Sequence, residues 1–451
     1  MSTSPSQDPQ LAERALASLE KLGARYVLLQ FVDLFGVLKS VSLPARRFLG
    51  VIEHGEWFDG SSVDGFARVL ENDMYLAPDL STFRLAPGGL DGSLGAARVM
   101  CNLRCPDGEL SAGDSRAVLQ RAIATLGAAG LEFHVAAEVE FFLFAAPNGL
   151  RPSPSDGAGY FDQTRDTGAA IREEIVEAVQ AQGVEVEGSH HEVAPGQHEV
   201  DLAFQPALLA ADAVVLLRDS VRVVATRHGL RASFMPKPLD GSSGSGMHTH
   251  QGLLEPDGRN LFHEASDAYG LSAVARHFVA GQLLHAPALA AVTASTVNSY
   301  KRLVPGFEAP THICWAHSSR AALVRVPQVS RAEAQATRVE LRCPDPSCNP
   351  YLAFAAMLVA GMDGVERQLP LPPPLEEDDR VDGGISAERR FVGSLPCSLV
   401  EALDALREDD AMVEGLGSTL VERFVEAKRI EWEQYRAHVT DWELERYLFL
   451  H

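Results

Sequence analysis

The chain is short of positive charge. Its 451 residues carry 39 Lys and Arg against 61 Asp and Glu, a formal net charge of −22. That balance excludes a protein built to hold a nucleic-acid backbone or an anionic membrane, since both demand a cationic surface. It leaves room for a nucleotide substrate, because a metal and a few arginines recruit phosphates locally. Long hydrophobic runs are missing too. The longest, Leu352 to Gly361, is about half a membrane span, and Met1 to Gln10 is polar with no apolar leader core. The expectation is a cytoplasmic enzyme or binding protein with no nucleic-acid and no membrane partner. Cysteine is scarce: six residues, at 101, 105, 314, 343, 348 and 397, none at zinc-knuckle spacing. Reduced structural thiols are therefore expected. No internal repeat occurs, and no glycine-rich stretch ends in the Lys of a P-loop.

What is present has an ordinary globular composition, 46% apolar and 22% charged, with length for two or three domains. The unusual stretch is His190-His191-Glu192-Val193-Ala194-Pro195-Gly196-Gln197-His198-Glu199-Val200. Pro195-Gly196 forbids a helix, so the charges sit on a turn and its flanking strand. With no Lys or Arg nearby, the stretch is either a solvated acidic loop or a turn that holds a divalent metal.

The periodicity places other candidates around it. Leu11 to Leu22 reads as a helix stopped by Gly23. Tyr26 to Val32 and Val37 to Leu43 read as a hairpin, Ala96 to Leu103 as a strand, and 114 to 129 as a helix starting at Asp114. In the apolar strand His134 to Phe144, Glu138 and Glu140 are two apart and share a face. Such a pair is costly without a cation, which favours metal. Ala169 to Gln182 and Ala207 to His228 read as helices. The loop Gly241 to Gly246 leads into a strand on which His248 and His250 share a face; its small residues let backbone amides approach an anion or substrate. Asn298 to Pro310 reads as a loop pinned by two prolines. In the strand Arg338 to Arg342, Arg338, Glu340 and Arg342 share a face. Tyr351 to Val365 reads as an apolar core helix, 367–390 as an exposed loop, and Leu399 to Leu406 and Leu416 to Tyr435 as helices.

Four polar-faced strands thus supply five carboxylates, two imidazoles and two guanidiniums. If they share one curved sheet, they line a cavity with metal-binding acids and anion-binding arginines. Oxygen donors with an occasional His suit Mg²⁺ or Mn²⁺, and metal plus arginine is the equipment of phosphoryl transfer. The residues alone lead to a divalent-metal enzyme acting on a phosphorylated compound, with the acceptor open.

The sequence also resembles the type I glutamine synthetase family over nearly its whole length. FDGSSVDGF (58–66), EVEFFLF (138–144), HHEVAPGQHE (190–199), GSGMHTH (244–250), NSYKRLVPGFEAP (298–310) and RVELRCPDP (338–346) carry the resemblance. It implies an α+β chain: a small N-terminal β-grasp-like domain at 1–110, and a catalytic domain at 111–451 whose curved antiparallel sheet forms a funnel backed by helices. It implies a homo-oligomer, a dodecamer of two hexameric rings with each site between neighbours. It implies two or more Mg²⁺ or Mn²⁺ ions per subunit, one held by Glu140, Glu192 and Glu199 and another by Glu138, His248 and Glu340. ATP would meet Glu187, His250, Arg320 and Arg325. Glutamate and the moving phosphoryl group would meet Gly244, Arg302, Glu308, Arg320 and Arg342. Ammonium would meet Asp59 of the adjacent subunit, Ser62, Tyr160, Glu192 and Glu308, with Asp59, Glu308 and Arg320 in catalytic roles. The implied reaction joins ammonia to L-glutamate through a γ-glutamyl phosphate.

Departures from the family pattern are Ser243 for Asn, Ser319-Arg320-Ala321 for Asn-Arg-Ser, Gly252 for Ser and Phe307 for the flap Tyr. They bear on glutamate affinity and specificity rather than on the catalytic charges. No Tyr lies between Tyr351 and Tyr435, so the adenylylation switch of some members is expected to be absent. Arg68 stands where some relatives link an arginine to feedback by glutamine. Three alternatives are a ligase of the same family that uses a polyamine or ethanolamine, a non-catalytic homologue, and a metal-dependent hydrolase. An intact metal-ligand set and a compact ammonium pocket favour ligation of ammonia over all three.

Overall fold

The structure is a computed structural model in which residues 9–60, 73–86, 96–145, 153–328, 336–376, 380–381, 384–385 and 393–450 are described. Helix α1 (Pro9–Leu22) buries Ala15 and Leu19 and stops at Gly23, where φ is +59°. Strands β1 (Tyr26–Val32) and β2 (Leu38–Pro44) form the expected antiparallel hairpin. After α2 (Phe48–His54) come β3 (Glu56–Asp59), β4 (Asp73–Pro78), β5 (Arg84–Leu85) and β6 (Ala96–Arg104). The sheet order is β2-β1-β6-β4-β3, with β5 also on β6. Its own core gathers Val27, Leu29, Phe48, Leu76 and Val99.

Helix α3 (Ser115–Ala128) begins where the sequence puts it. Asp114 caps it by accepting from Arg116 N, and its other oxygen accepts from Leu103 N on β6, each at 2.9 Å. One carboxylate therefore starts the helix and fixes it to the first sheet.

The second sheet is built from β7 (Glu132–Ala145), then, after α4 (Ala169–Gln180), β8 (Val186–His191), β9 (Gln197–Leu202) and β10 (Gln205–Pro206). Helix α5 (Ala207–Arg227) leads to β11 (Leu230–Ser233) and β12 (Met247–Leu254). Helices α6 (Ala273–Leu284), α7 (Ala286–Thr293) and α8 (Ser299–Arg302) precede β13 (His312–Ala316), β14 (Ala322–Arg325) and β15 (Val339–Leu341). The strand order is β13-β14-β15-β12-β7-β9-β8, with β10 and β11 on β7. The expected antiparallel pairing holds except at β13–β14, which run parallel with a register shift between His312 and Trp315. The link at 317–321 doubles back beside the strand instead of making a hairpin.

Helix α9 (Pro350–Glu366), β16 (Arg380–Val381), β17 (Gly384–Ile385) and helices α10 (Leu399–Glu408), α11 (Asp410–Leu416), α12 (Ser418–Ala437) and α13 (Asp441–Tyr447) complete the chain. Helix α9 buries Tyr351, Phe354 and Met357 completely. The Tyr351 hydroxyl donates to Asp212 on α5, which also accepts from Arg116 on α3 at 2.9 and 3.0 Å. This polar knot ties three helices behind the sheet.

Two readings are corrected. The segment 298–310 is not all loop, since α8 places Arg302 at its end. The stretch 367–390 is not all loop either, since β16 and β17 pair within it. Residues 367–376 have no helix or strand and are largely exposed, as expected, but they are anchored at Leu375. Leu375 is buried and its N–H donates to Trp315 O at 2.8 Å, while the Trp315 indole donates to Pro372 O at 2.6 Å. Proline carbonyls still accept, so a Pro-rich stretch can be pinned to a strand edge. All six cysteines are free, as expected. Among the described residues no helix is long and apolar enough to cross a membrane.

Candidate active site

Sheet register assembles the site. His248 on β12 pairs directly with Glu138 on β7, which pairs with Asp201 on β9. Glu140 on β7 pairs with Glu199 on β9, which pairs with His190 on β8. Arg325 on β14 pairs with Glu340 on β15, which pairs with His250 on β12. These rows lie on one face of the sheet, because residues two apart in a strand point the same way. They open into a cavity of about 350 Å³. That β14, β12, β7, β9 and β8, with Arg342 just past β15, all line one cavity shows that the sheet is curved.

The turn between β8 and β9 presents Glu192. It is narrow because Gly196 has φ +67° and a Cβ there would lie 2.8 Å from Leu143 O and 3.1 Å from Ser155 N. Gly246 makes a second close approach. Its N–H donates to Glu140 at 3.0 Å, and a Cβ would strike the Arg302 guanidinium at 2.6 Å. The glycine-rich run before β12 thus lets a backbone amide reach the carboxylate and leaves room for the Arg302 guanidinium beside it.

Charge is unevenly balanced across the face. Burial alone would raise the Glu138 pKa, but His248 at 3.1 Å and His250 at 2.7 Å hold it well below the carboxylate range. Glu340 is fully buried and also lowered: burial opposes ionisation, while His250 and Arg342 favour it. Arg325 and Arg342 each donate to Glu340. Glu140 behaves oppositely. Burial, then the Glu192 charge, push it up to about 8. Glu199 is raised well above its usual value by burial and by Glu140 and Glu138. Like charges directly opposed on neighbouring strands repel. Among the described residues no Lys or Arg forms an ion pair with Glu140 or Glu199, and Arg302 and Arg342 ease Glu140 only in part.

That imbalance tests whether a metal fits. Glu192 and Glu199 with His190, and Glu138 and Glu340 with His250, present donor atoms within 4.8 Å of one another. Oxygen-rich sets of excess negative charge suit a hard divalent cation. The Glu140–Glu192–Glu199 side carries the excess; the Glu138–Glu340 side is already partly neutralised by His and Arg.

The cavity also carries cations. Arg302 donates to Cys343 O at 2.9 Å and Arg342 O at 3.1 Å, and Arg342 donates to Arg320 O at 2.8 Å. Backbone carbonyls thereby orient guanidiniums without consuming their charge. Arg302, Arg320, Arg325 and Arg342 all line the cavity, with Tyr160, Gly244, Glu308 and Ser243.

Most residues singled out in the sequence therefore meet in one place. Glu138, Glu140, Glu192, Glu199 and His248 line the cavity, while His250 and Glu340 stand directly behind it through Glu138 and Arg325. Glu187 does not line it; its carboxylate accepts from Phe204 N at 3.3 Å, beside Arg338, which stacks on the Phe204 ring. Asp59 ends β3 in the first sheet and is not among the lining residues of this chain. Ser62 and Arg68 lie outside the described residues.

Residues not singled out as functional also appear. His190 stands 3.6 Å from both Glu192 and Glu199. Gln197 donates to Glu140 at 2.8 Å and to Gly244 O at 3.0 Å. Their signal was strand alternation: Gln197, Glu199 and Asp201 share a face. His191 and His198 point to the other side, where His191 meets Asp156 at 3.0 Å and His198 meets Arg172 at 3.0 Å.

Comparison with known proteins agrees with this geometry. Residues 23–106 match the family model for the glutamine synthetase β-grasp domain, and residues 112–447 that for the glutamine synthetase catalytic domain. Glutamine synthetase of Thermus thermophilus is 44% identical over 439 residues, 96% of this chain and 98% of that one. Glutamine synthetase of Mycolicibacterium smegmatis is 46% identical over 444 residues, 97% of this chain and 99% of that one. A solved structure of GmaS in complex with ADP matches with TM-score 0.87 and 31% identity, covering 96% of this chain and 99% of its own. With a β-grasp domain, a curved sheet backed by helices and a shared site-bearing catalytic region, the chain belongs to the glutamine synthetase family of enzymes.

Proposed function

We propose that this chain makes L-glutamine from L-glutamate, ammonia and ATP, as a type I member of its family. The observation that carries the reading is the opposition, in one cavity, of under-neutralised carboxylates and four guanidiniums. A carboxylate is a poor electrophile, so amide formation requires activation, and phosphorylation of the γ-carboxylate supplies it. Arg302, Arg320 and Arg342, with Gly244, hold glutamate and the phosphoryl oxygens; His250, Arg325, Arg320 and the Glu187 segment meet the nucleotide. Mg²⁺ or Mn²⁺, two or more per subunit, would be held by Glu140, Glu192 and Glu199 and by Glu138, His248 and Glu340, and would supply fixed positive charge to the phosphates. Tyr160, Ser62, Glu192 and Glu308 receive ammonium, and Asp59 removes its proton.

Asp59 does not line the cavity of its own chain, which supports sites shared between neighbours in a dodecamer. We propose the division 1–110 and 111–451 for the two domains, and a cytoplasmic location. The test is phosphate release and amide product with ATP, Mg²⁺ or Mn²⁺ and glutamate across ammonia, methylamine, ethanolamine and a polyamine. Glutamine formed preferentially from ammonia is expected. A marked preference for a larger amine would replace ammonia as the acceptor, and turnover without glutamate would remove the reading.

A further inference from the structure

Lys237 is not among the residues that line the cavity, yet it touches both of its irregular rims. Its ammonium lies 3.5 Å from the centroid of the Phe307 ring. The same nitrogen donates to Ser242 O. Phe307 and Glu308 form one rim, and Ser243 and Gly244 the other. The Lys237 backbone is fixed as well: its N–H donates to Asn298 Oδ1 at 2.7 Å and its carbonyl accepts from Asn298 Nδ2 at 3.1 Å. Asn298 immediately precedes α8, the helix that carries Arg302. Pro236 and Pro238 flank Lys237 and stiffen its backbone.

The rim it grips contains a strained residue. Glu308 adopts φ +54° and Gly306 φ +99°. A glutamate in the left-handed region carries a backbone cost that its surroundings must offset. On one side of that strained residue Ala309 is buried in the core, and on the other Phe307 carries the Lys237 stack. The charged groups facing Lys237 are Asp240 and Arg302, of opposite sign.

We propose that Lys237 is a positioning residue that latches the Phe307–Glu308 rim to the Ser242–Gly244 rim. The two then close as one, and water is kept from the activated carboxylate. The chemical consequence rests on the proposed function; the latch itself does not.

The test uses full-length protein carrying Lys237→Met or Lys237→Arg. In hydrogen exchange, Lys237→Met should speed the amides of Gly306 to Ala309 and of Gly241 to Gly244 by about tenfold, because the opening equilibrium loses a cation–π contact. Amides of the central strands should not change. Lys237→Arg keeps a donor and a cation that stacks on aromatic rings, so it should exchange like the wild type. In turnover, phosphate released per glutamine should stay near unity for wild type and Lys237→Arg and rise several-fold for Lys237→Met, with the Mn²⁺ dissociation constant unchanged. Unchanged rim exchange in Lys237→Met, or equal loosening in Lys237→Arg, overturns the latch. Faster exchange with an unchanged phosphate-to-glutamine ratio overturns its water-excluding role. A wild type that makes no glutamine removes the proposed reaction but not the latch, since exchange requires no turnover.

Discussion

Glu140 lies directly across the sheet from Glu199 and accepts from Gln197 and Gly246, with burial pushing its pKa up to about 8. A carboxyl raised in the fold favours its protonated form there. Its stability contribution is present below the unfolded carboxylate pKa and is lost as pH rises through about 8. Metal-free protein should therefore lose on the order of a few kcal/mol between mildly acidic pH and pH 8, as chemical denaturation at each pH would measure. A cation reverses the sign, because ligation competes with the proton. Mn²⁺ affinity should rise by roughly tenfold per pH unit from pH 6 to 8 if one proton is released, and Glu140→Gln should flatten that slope. A slope that persists in Glu140→Gln would place the titrating ligand elsewhere. Glu340 makes the complementary case. It lies under two guanidiniums and is fully buried. Glu340→Ala leaves Arg325 and Arg342 without their carboxylate, which should cost about 3–5 kcal/mol of stability and abolish ATP-dependent amide formation. Near-normal turnover would contradict its assignment as a metal ligand.

The β8–β9 hairpin shows how an element holds such residues in place. Asp156 Oδ1 accepts from Gly196 N at 3.0 Å, His191 Nε2 at 3.0 Å and Ala158 N at 3.3 Å. His191 Nδ1 in turn meets the Glu192 carbonyl at 2.7 Å. One carboxylate thus ties the turn between Glu192 and Glu199 to the segment leading to Tyr160. Asp156→Ala should lower stability by about 2–4 kcal/mol and weaken Mn²⁺ binding by roughly 10–100-fold, readable by thermal melts and calorimetry; a melt shift with unchanged affinity would confine Asp156 to structure. The sequence made part of this element legible. Pro195-Gly196 marked a turn, and alternation put Glu138 with Glu140 and His248 with His250, because strand faces follow from a period of two. Register was not legible. Nothing local says that Glu138 faces His248 while Glu140 faces Glu199, since that depends on how β12, β7 and β9 slide along one another. Side chains whose role depends on a distant partner were missed for the same reason. Lys237 and Phe307 are far apart in sequence, and His190 takes its meaning from Glu199 across the hairpin.

At the scale of the whole molecule, the first sheet and the cavity are separate structures in one chain. Asp59 ends a strand of the first sheet, and the cavity is lined by the second. The proposed reading places Asp59 in a neighbour's cavity, since it does not line its own. The sequence could suggest this only through resemblance, because one chain carries no signal of which copy completes a site. The arrangement has an arithmetic consequence. On the proposed shared site, Asp59→Ala and Glu340→Ala should each disable every site in their own homo-oligomers, but by different routes. In a randomly reassembled equal mixture, a site is intact when an Asp59→Ala subunit supplies the cavity and its neighbour, a Glu340→Ala subunit, supplies Asp59. Closed rings in which each interface is a head-to-tail contact make that about one site in four. Two nearly inactive preparations, dissociated and reassembled together, should therefore recover about a quarter of the wild-type rate. Mixing without reassembly should recover none. Recovery absent after verified reassembly would mean that Asp59 serves its own chain. Glutamine formation and acyl-phosphate formation should also separate, with Asp59→Ala alone slowing ammonia transfer more than ADP formation in a single turnover.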